Sequence, residues 1–254
     1  MDNDMIGLIT MTGARAAQFN ICQQLMMKQT YTGKVAWVIV DDALPRTTDI
    51  VTSDFRGWDI MKVYPVPRWQ PGENTQARNI VAGIQALIDK YPKKEIEAIF
   101  IIEDDDYYRP VYLERMMANF GTYDIIGERN TIYYNVVHRR YITNPNTAHA
   151  SLFQTAFRYD VIPLLQVCLS HKFIDCTLWP MVQNRRLFYE HDLAVGMKGM
   201  PGRGGIGAGH GNQMNMIDDR SLNYLRALIG EDYRYYEGFY RPLAQKRPLF
   251  IKRP

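Results

Sequence analysis

Four consecutive carboxylates, Glu103-Asp104-Asp105-Asp106, follow directly on the apolar run Ile99-Phe100-Ile101-Ile102. Adjacent carboxylates repel, and each raises the pKa of its neighbour, so the cluster is costly unless something cationic sits on it. A divalent cation held by carboxylate oxygens and shared with a phosphate removes that cost. A solvated acidic turn after a surface strand is the plainer reading. A buried-type strand that delivers carboxylates at its C-terminal end instead marks the ligand crevice of an open α/β sheet.

The elements that must position this cluster are visible on its N-terminal side. Met5-Ile6-Gly7-Leu8-Ile9-Thr10 reads as a first buried strand, ended by the polar turn Thr10-Met11-Thr12-Gly13-Ala14-Arg15. A helix is expected from Ala16 to Lys28, and a second buried strand from Val35 to Val40, closing in Asp41-Asp42. Strand, helix, strand at this spacing is a βαβ unit with a right-handed crossover. A third strand is expected at Ile60 to Tyr64. The next helix repeats Ala77, Ile80, Val81, Ile84, Leu87, Ile88 and Tyr91 at intervals of three and four, and stops at Pro92. Arg78 and Asn79 fall in its first turn, where the helix dipole welcomes an anion. Pro110 opens a helix to about Phe120.

Beyond residue 121 the pattern changes. Short strands are expected at 124–127, 132–137 and 140–143, and helices over 158–170 and 221–229. Gly196 to Gly211 is rich in glycine and is read as neither a packed helix nor an ordinary strand. The organisation expected is a single α/β domain over residues 1–254, with a nucleotide-type half (1–120) and an acceptor half (121–254).

Composition narrows the class. The chain has 254 residues, 22% charged and 46% hydrophobic, with a net charge of +3, as in ordinary globular proteins. Basic residues crowd the end, at Arg241, Lys246, Arg247, Lys252 and Arg253. Cys22, Cys168 and Cys176 have no metal-ligand spacing, and an odd count argues against a disulfide framework, so a reducing cytoplasm is expected. No secretory signal or membrane-length apolar run is apparent in the sequence.

The order of these features resembles a nucleotide-sugar-dependent glycosyltransferase of the GT-A fold, nearest the family 2 type. Four segments carry the resemblance over residues 5–120. They are Arg15 with the helix ending Lys28-Gln29-Thr30-Tyr31, Val38-Ile39-Val40-Asp41-Asp42, Ala77-Arg78-Asn79, and Glu103-Asp104-Asp105-Asp106 followed by Tyr-Tyr-Arg-Pro110. The last resembles the Asp-X-Asp-Asp-X-X-X-Pro metal signature. The resemblance implies a GT-A-like Rossmann-type mixed sheet flanked by helices, a Mn2+ or Mg2+ cofactor, and a nucleoside-diphosphate sugar donor, UDP-sugar first. It fades after residue 125. The family's late Glu-Asp pair has no clean match, the nearest being Tyr189-Glu190-His191-Asp192.

Transfer of a sugar requires the leaving diphosphate to be neutralised, which a bridging divalent cation does as a Lewis acid. Counted back from Pro110, the family register makes Glu103 and Asp105 the outer pair and Asp105 the metal ligand. A shift of one gives Asp104 and Asp106, and spacing alone leaves both open. The donor-side residues expected are Thr10, Arg15, Asp41, Arg78, Glu103 and Asp104. Lys198 and Arg203, on the glycine-rich segment, would wrap the diphosphate. The metal ligands expected are Asp105, Asp106 and His210. Asp192 and His191 are the candidate acceptor bases, with Asp175 behind them. Trp69, Trp179 and Tyr108 are candidates for stacking on sugar or base.

The acceptor expected is a saccharide or a modified base in DNA. The DNA branch rests on basic residues interleaved with aromatics from Tyr233 to Arg253. A nucleotidyltransferase with a related metal site, or a non-catalytic nucleotide-binding protein, are the competing classes. The first lacks its glycine-rich phosphate loop, for which Gly13-Ala14-Arg15 is a poor substitute.

Overall fold

The computed structural model describes residues 5–48, 55–171, 173–203 and 215–240. In chain order the elements are β1 (Met5–Thr12), α1 (Ala16–Met27), β2 (Val35–Asp41), β3 (Asp59–Val63), α2 (Gln76–Lys90), β4 (Ile96–Ile101), β5 (Tyr107–Tyr108) and α3 (Tyr112–Phe120). They continue with β6 (Ile125–Glu128), β7 (Thr131–Asn135), β8 (Arg140–Asn144), β9 (Thr155–Phe157), α4 (Ile162–Cys168), α5 (Ile174–Met181), β10 (Arg185–Phe188), β11 (Ala194–Lys198), β12 (Ile217–Asp218) and α6 (Asn223–Ile229).

Among the described residues, seven strands form a mixed sheet in the order β10-β6-β9-β4-β1-β2-β3. The four strands β4, β1, β2 and β3 are parallel, and β9 runs antiparallel to both β4 and β6. Strands β1, β2 and β4 are buried on both faces because their apolar residues run almost without interruption, whereas the edge strand β3 is half-buried. On β1, β2 and β4 the side chains of Ile6, Leu8, Trp37, Ile39 and Phe100 join one core with α1, α3 and α6. The alternate positions Ile9, Val38, Val40, Ile99 and Ile101 join a second core with α2, α4 and α5. Helix α2 lies close on β1 at Gly83, where an added Cβ would come within 2.6 Å of Ile9 Cγ2. The mixed α/β fold expected from the sequence is the one observed.

The chain leaves β1 towards β2 and β3 on one side and returns through α2 to β4 on the other. β1 and β4 therefore flank a topological switch point, and a crevice opens beyond their carboxyl ends. A second sheet, β12-β8-β7-β11-β5, stands across that crevice. Its β5–β11 pairing, Tyr107 with Val195 and Tyr108 with Ala194, ties the residues just after the acidic turn to the second half of the chain.

Two expectations need correction. Gly196 to Lys198 lie in strand β11, although the glycine-rich segment was expected to hold no strand. The lack of a side chain at Gly196 is what admits its neighbour: a Cβ there would sit 2.5 Å from the Tyr133 ring, its register partner on β7. The helix expected over 158–170 is shorter. A 3-10 turn at Tyr159–Val161 precedes α4, with Pro163 in the first turn, where its missing N–H costs nothing. Residues 204–211 of the glycine-rich segment and the basic residues from Arg241 onward lie outside the described residues. Of the aromatics before them, Tyr233 and Tyr236 are buried in the core.

Candidate active site

The crevice is a cavity of about 580 Å³, lined by Thr12, Arg15, Trp69, Gln76, Asn79, Glu103, Asp104, Asp105, Lys198 and Arg203 among others. That volume suits a ligand of nucleotide size. The acidic turn forms its floor. Ile102 still belongs to the core, its N–H donating to Ile9 O at 2.9 Å, and the chain turns immediately afterwards. Tyr108 pins the turn by placing its hydroxyl 2.8 Å from the Glu103 N–H.

Two cations answer four carboxylates. Arg15, the residue just before α1, reaches Asp104 at 3.1 Å and Asp105 at 2.5 Å. Lys198, at the end of β11, reaches Asp106 at 2.9 Å and Glu103 at 4.0 Å, and Asp106 Oδ1 also accepts the Met197 N–H at 2.8 Å. The two cations leave net negative charge on the group, and its proton affinities reflect this. Burial pushes Asp104 up to about 7, with Arg15 opposing and Asp105 adding repulsion. Burial likewise raises Asp106 and Glu103, each partly offset by Lys198, and Lys198 in turn is raised by the carboxylates against the cost of its own burial.

Oxygens of Glu103, Asp105 and Asp106 lie within 4.8 Å of one another. Asp104 Oδ2 and Asp106 Oδ2 are buried without a hydrogen-bond partner. An all-oxygen donor set carrying excess negative charge and orphaned buried oxygens fits Mg2+ or Mn2+.

Behind the far wall, where Asn79 and Arg203 line the cavity, buried Asp42 collects a dense network. Arg203 grips it with both Nη atoms, at 2.6 and 3.1 Å, and Thr75, Asn79 and Arg78 donate to Oδ2 at 2.5, 2.7 and 3.3 Å. Burial alone would raise Asp42, but these donors hold it below the usual carboxylate range. The Arg203 guanidinium also sits over the Trp69 ring, 4.9 Å from its centroid. Residues before and after the crevice are thus tied together across its mouth.

The structure gathers Arg15, Glu103, Asp104, Asp105, Asp106, Lys198 and Arg203 into one place, with Arg78 at its edge. Thr10 and Asp41 are engaged elsewhere. Thr10 accepts the Trp37 Nε1–H at 2.9 Å inside the core. The Asp41 carboxylate accepts the N–H groups of Thr47 and Thr48 at 2.7 and 3.1 Å, closing its own loop. Asp192 and His191 occupy a left-handed turn between β10 and β11, with φ of 62° and 60°, and neither lines the cavity. The Asp192 carbonyl accepts Arg109 Nε–H at 2.9 Å. Asp175, at the start of α5, is close enough that its charge adds to the raising of Glu103. Tyr108 and Trp179 are fully buried, leaving Trp69 as the candidate stacking ring that lines the cavity. His210 lies outside the described residues.

The sequence reading passed over Asp42, Thr12 and Gln76. Gln76 Nε2 donates to Glu103 Oε1 at 3.1 Å, and both Gln76 and Thr12 line the cavity. The signal for Asp42 was present in its neighbour, since successive residues at a strand end point to opposite sides.

This architecture is a glycosyltransferase fold. The chain matches TarS of S. aureus at TM-score 0.55 and 12% identity, over 76% of its own length and 36% of that chain. The 1–349 portion of TarS in complex with UDP-GlcNAc gives 0.54 at 13% identity, over 78% and 60% of the two chains. The mannosyltransferase PcManGT of Pyrobaculum calidifontis, in complex with GDP-Man and Mn2+, gives 0.51 at 12% identity, over 78% and 58%. The chain thus spans about a third of full TarS and under two thirds of the other two, and the likeness is one of fold. No protein-family model and no curated sequence matches it. Among the described residues, no helix is long and apolar enough to cross a membrane.

Proposed function

We propose that the protein is a divalent-metal-dependent glycosyltransferase that moves a sugar from a nucleoside-diphosphate sugar, a UDP-sugar first, to an acceptor hydroxyl. One observation carries the reading: three carboxylates offer oxygens within 4.8 Å at the sheet's switch point, beneath a cavity rimmed by Arg15, Lys198 and Arg203. Neighbours in fold bind UDP-GlcNAc, and GDP-Man with Mn2+. Glu103, Asp105 and Asp106 would hold Mn2+ or Mg2+, and such an ion neutralises a departing diphosphate as a Lewis acid.

The protein's own groups complete the chemistry. Arg15 and Lys198, released from carboxylates once these are neutralised, are placed to meet phosphate oxygens. Trp69 and Asn79, with Asp42 buried behind them, form the wall assigned to the nucleoside. For direct displacement, the acceptor oxygen attacks the anomeric carbon as its bond to the phosphate oxygen breaks, and a base takes the acceptor proton. None of Asp175, Asp192 and His191 lines the cavity itself; we assign that role to Asp175 because, of the three, it is the one whose charge bears on Glu103 at the cavity floor. The acceptor is assigned to saccharide hydroxyls or a modified base in DNA; salt-dependent binding of duplex DNA would select the latter.

The test is a panel of nucleotide-sugars screened for hydrolysis with and without Mn2+, repeated on Asp105→Ala. Metal-dependent release of nucleotide from one donor class, lost in the variant, supports the assignment. Absence of hydrolysis across the panel, together with absence of nucleotide binding, contradicts it.

A further inference from the structure

Apart from the β4 carboxylates, the described residues hold one more group of metal-ligating side chains: His149, Asp175 and Cys176. Each offers one atom, and the three atoms lie within 4.8 Å of one another. Cys176 Sγ and His149 Nε2 are 3.4 Å apart. Around a tetrahedral ion with bonds of about 2.0 to 2.3 Å, ligand atoms stand roughly 3.3 to 3.8 Å apart. The sulfur and nitrogen already have that separation, and the carboxylate needs only a small side-chain adjustment to join them.

The three residues come from two elements. His149 lies in the connection between β8 and β9, and Asp175 and Cys176 form the first turn of α5. The Cys176 N–H donates to Asp175 Oδ1 at 2.9 Å, which orients the carboxylate beside the thiol. His149 and Asp175 are half-buried and Cys176 is exposed, so an ion can enter from solvent. Cys22 and Cys168 are buried.

The donor types separate this group from the site under the cavity. The β4 cluster is all oxygen, which suits Mg2+ or Mn2+, whereas thiolate with imidazole selects softer ions such as Zn2+. We propose that His149, Asp175 and Cys176 form a second cation site, selective for a soft divalent ion of the zinc type, with its fourth position open to solvent or ligand. On binding, the Cys176 S–H bond is replaced by a sulfur–metal bond, the proton passes to solvent, and no electron is transferred. Because Asp175 is the base assigned above, an ion held there removes it from catalysis. That inhibitory consequence rests on the proposed function, while the binding does not.

Co2+ is the probe, because a cobalt–thiolate bond gives a charge-transfer absorption that oxygen ligands do not. The full chain is titrated with CoCl2 in excess Mg2+, which occupies the oxygen site. A charge-transfer band saturating at a single equivalent, displaced by Zn2+, is expected for the unaltered protein and for Asp105→Ala. The band should be absent in Cys176→Ser and severely weakened in His149→Gln. No band in the unaltered protein, or an unchanged band in Cys176→Ser, overturns the proposal. A second arm adds Zn2+ to donor hydrolysis in Mn2+: slowing by about tenfold or more, absent in Cys176→Ser, supports the inhibitory consequence. If no nucleotide-sugar is hydrolysed at all, the proposed function fails while the cobalt titration still decides the site.

Discussion

On the β1, β2 and β4 side of the cavity, charge is delivered by the ends of strands buried on both faces, and Glu103 to Asp106 leave β4 as one block. On the opposite side the charged groups arrive singly, Lys198 from β11 and Arg203 from the segment after it. The first side fixes positions through the sheet. The second supplies counter-charges through long-range pairing: Arg203 and Asp42 are 161 residues apart in sequence. A rigid anionic floor facing individually placed cations is an arrangement that a metal and a diphosphate can enter with little rebuilding, because each protein cation has a phosphate oxygen to move to.

The two sides should respond differently to substitution. The largest effect is expected from Asp105→Ala, which removes a ligand from the floor: Mn2+-dependent donor turnover should fall about 1,000-fold, as several kcal/mol of charge stabilisation is lost. Lys198→Met acts from the other side. It leaves Asp106 buried without its cation, and urea unfolding should show a loss of about 3 kcal/mol, part of it restored by Mn2+.

A pH effect comes from Glu128 on β6. Burial lifts it from 4.5 to about 7, with the Leu193 N–H opposing and the charge of Asp192 adding. The folded protein therefore holds this proton more tightly than the unfolded chain does. The contribution is fully present below about pH 4.5 and is lost as pH rises through about 7, by roughly 3 kcal/mol. Unfolding at about pH 5 and about pH 8 should show this loss, and Glu128→Gln should reduce the slope. Asp104, also at about 7, keeps the remainder with the same sign.

Asp175→Asn should lower the transfer rate about 100-fold while leaving nucleotide affinity unchanged. Asp192→Asn, off the cavity, should change transfer by less than about threefold. Reversal of this last pair would move the base to the β10–β11 turn.

The sequence made the floor legible because its signals are local. A strand's apolar run, a carboxylate block and a periodic helix each announce themselves within a dozen residues, and β1, β2, β4 and α2 fall close to their expected places. The far side depends on contacts that no local pattern encodes. Asp41 and Asp42 are adjacent and chemically identical, yet one closes a loop through Thr47 and Thr48 while the other takes Arg203, Thr75 and Asn79. Helix α5, which brings Asp175 towards the cavity, was not anticipated. It is short, and Pro180 interrupts its pattern. Strand β11 was hidden by its glycine, whose missing side chain makes room for Tyr133 rather than for flexibility.

We assign the acidic turn after β4 as a metal-dependent diphosphate site. Calorimetric titration of UDP into the full chain, with and without Mn2+, tests it most directly. Binding is expected to require Mn2+ or to be strengthened by it at least about tenfold, a coupling of about 1.4 kcal/mol, and Asp105→Ala is expected to abolish the coupling. Binding of equal strength with and without the metal, or none in either case, would contradict it.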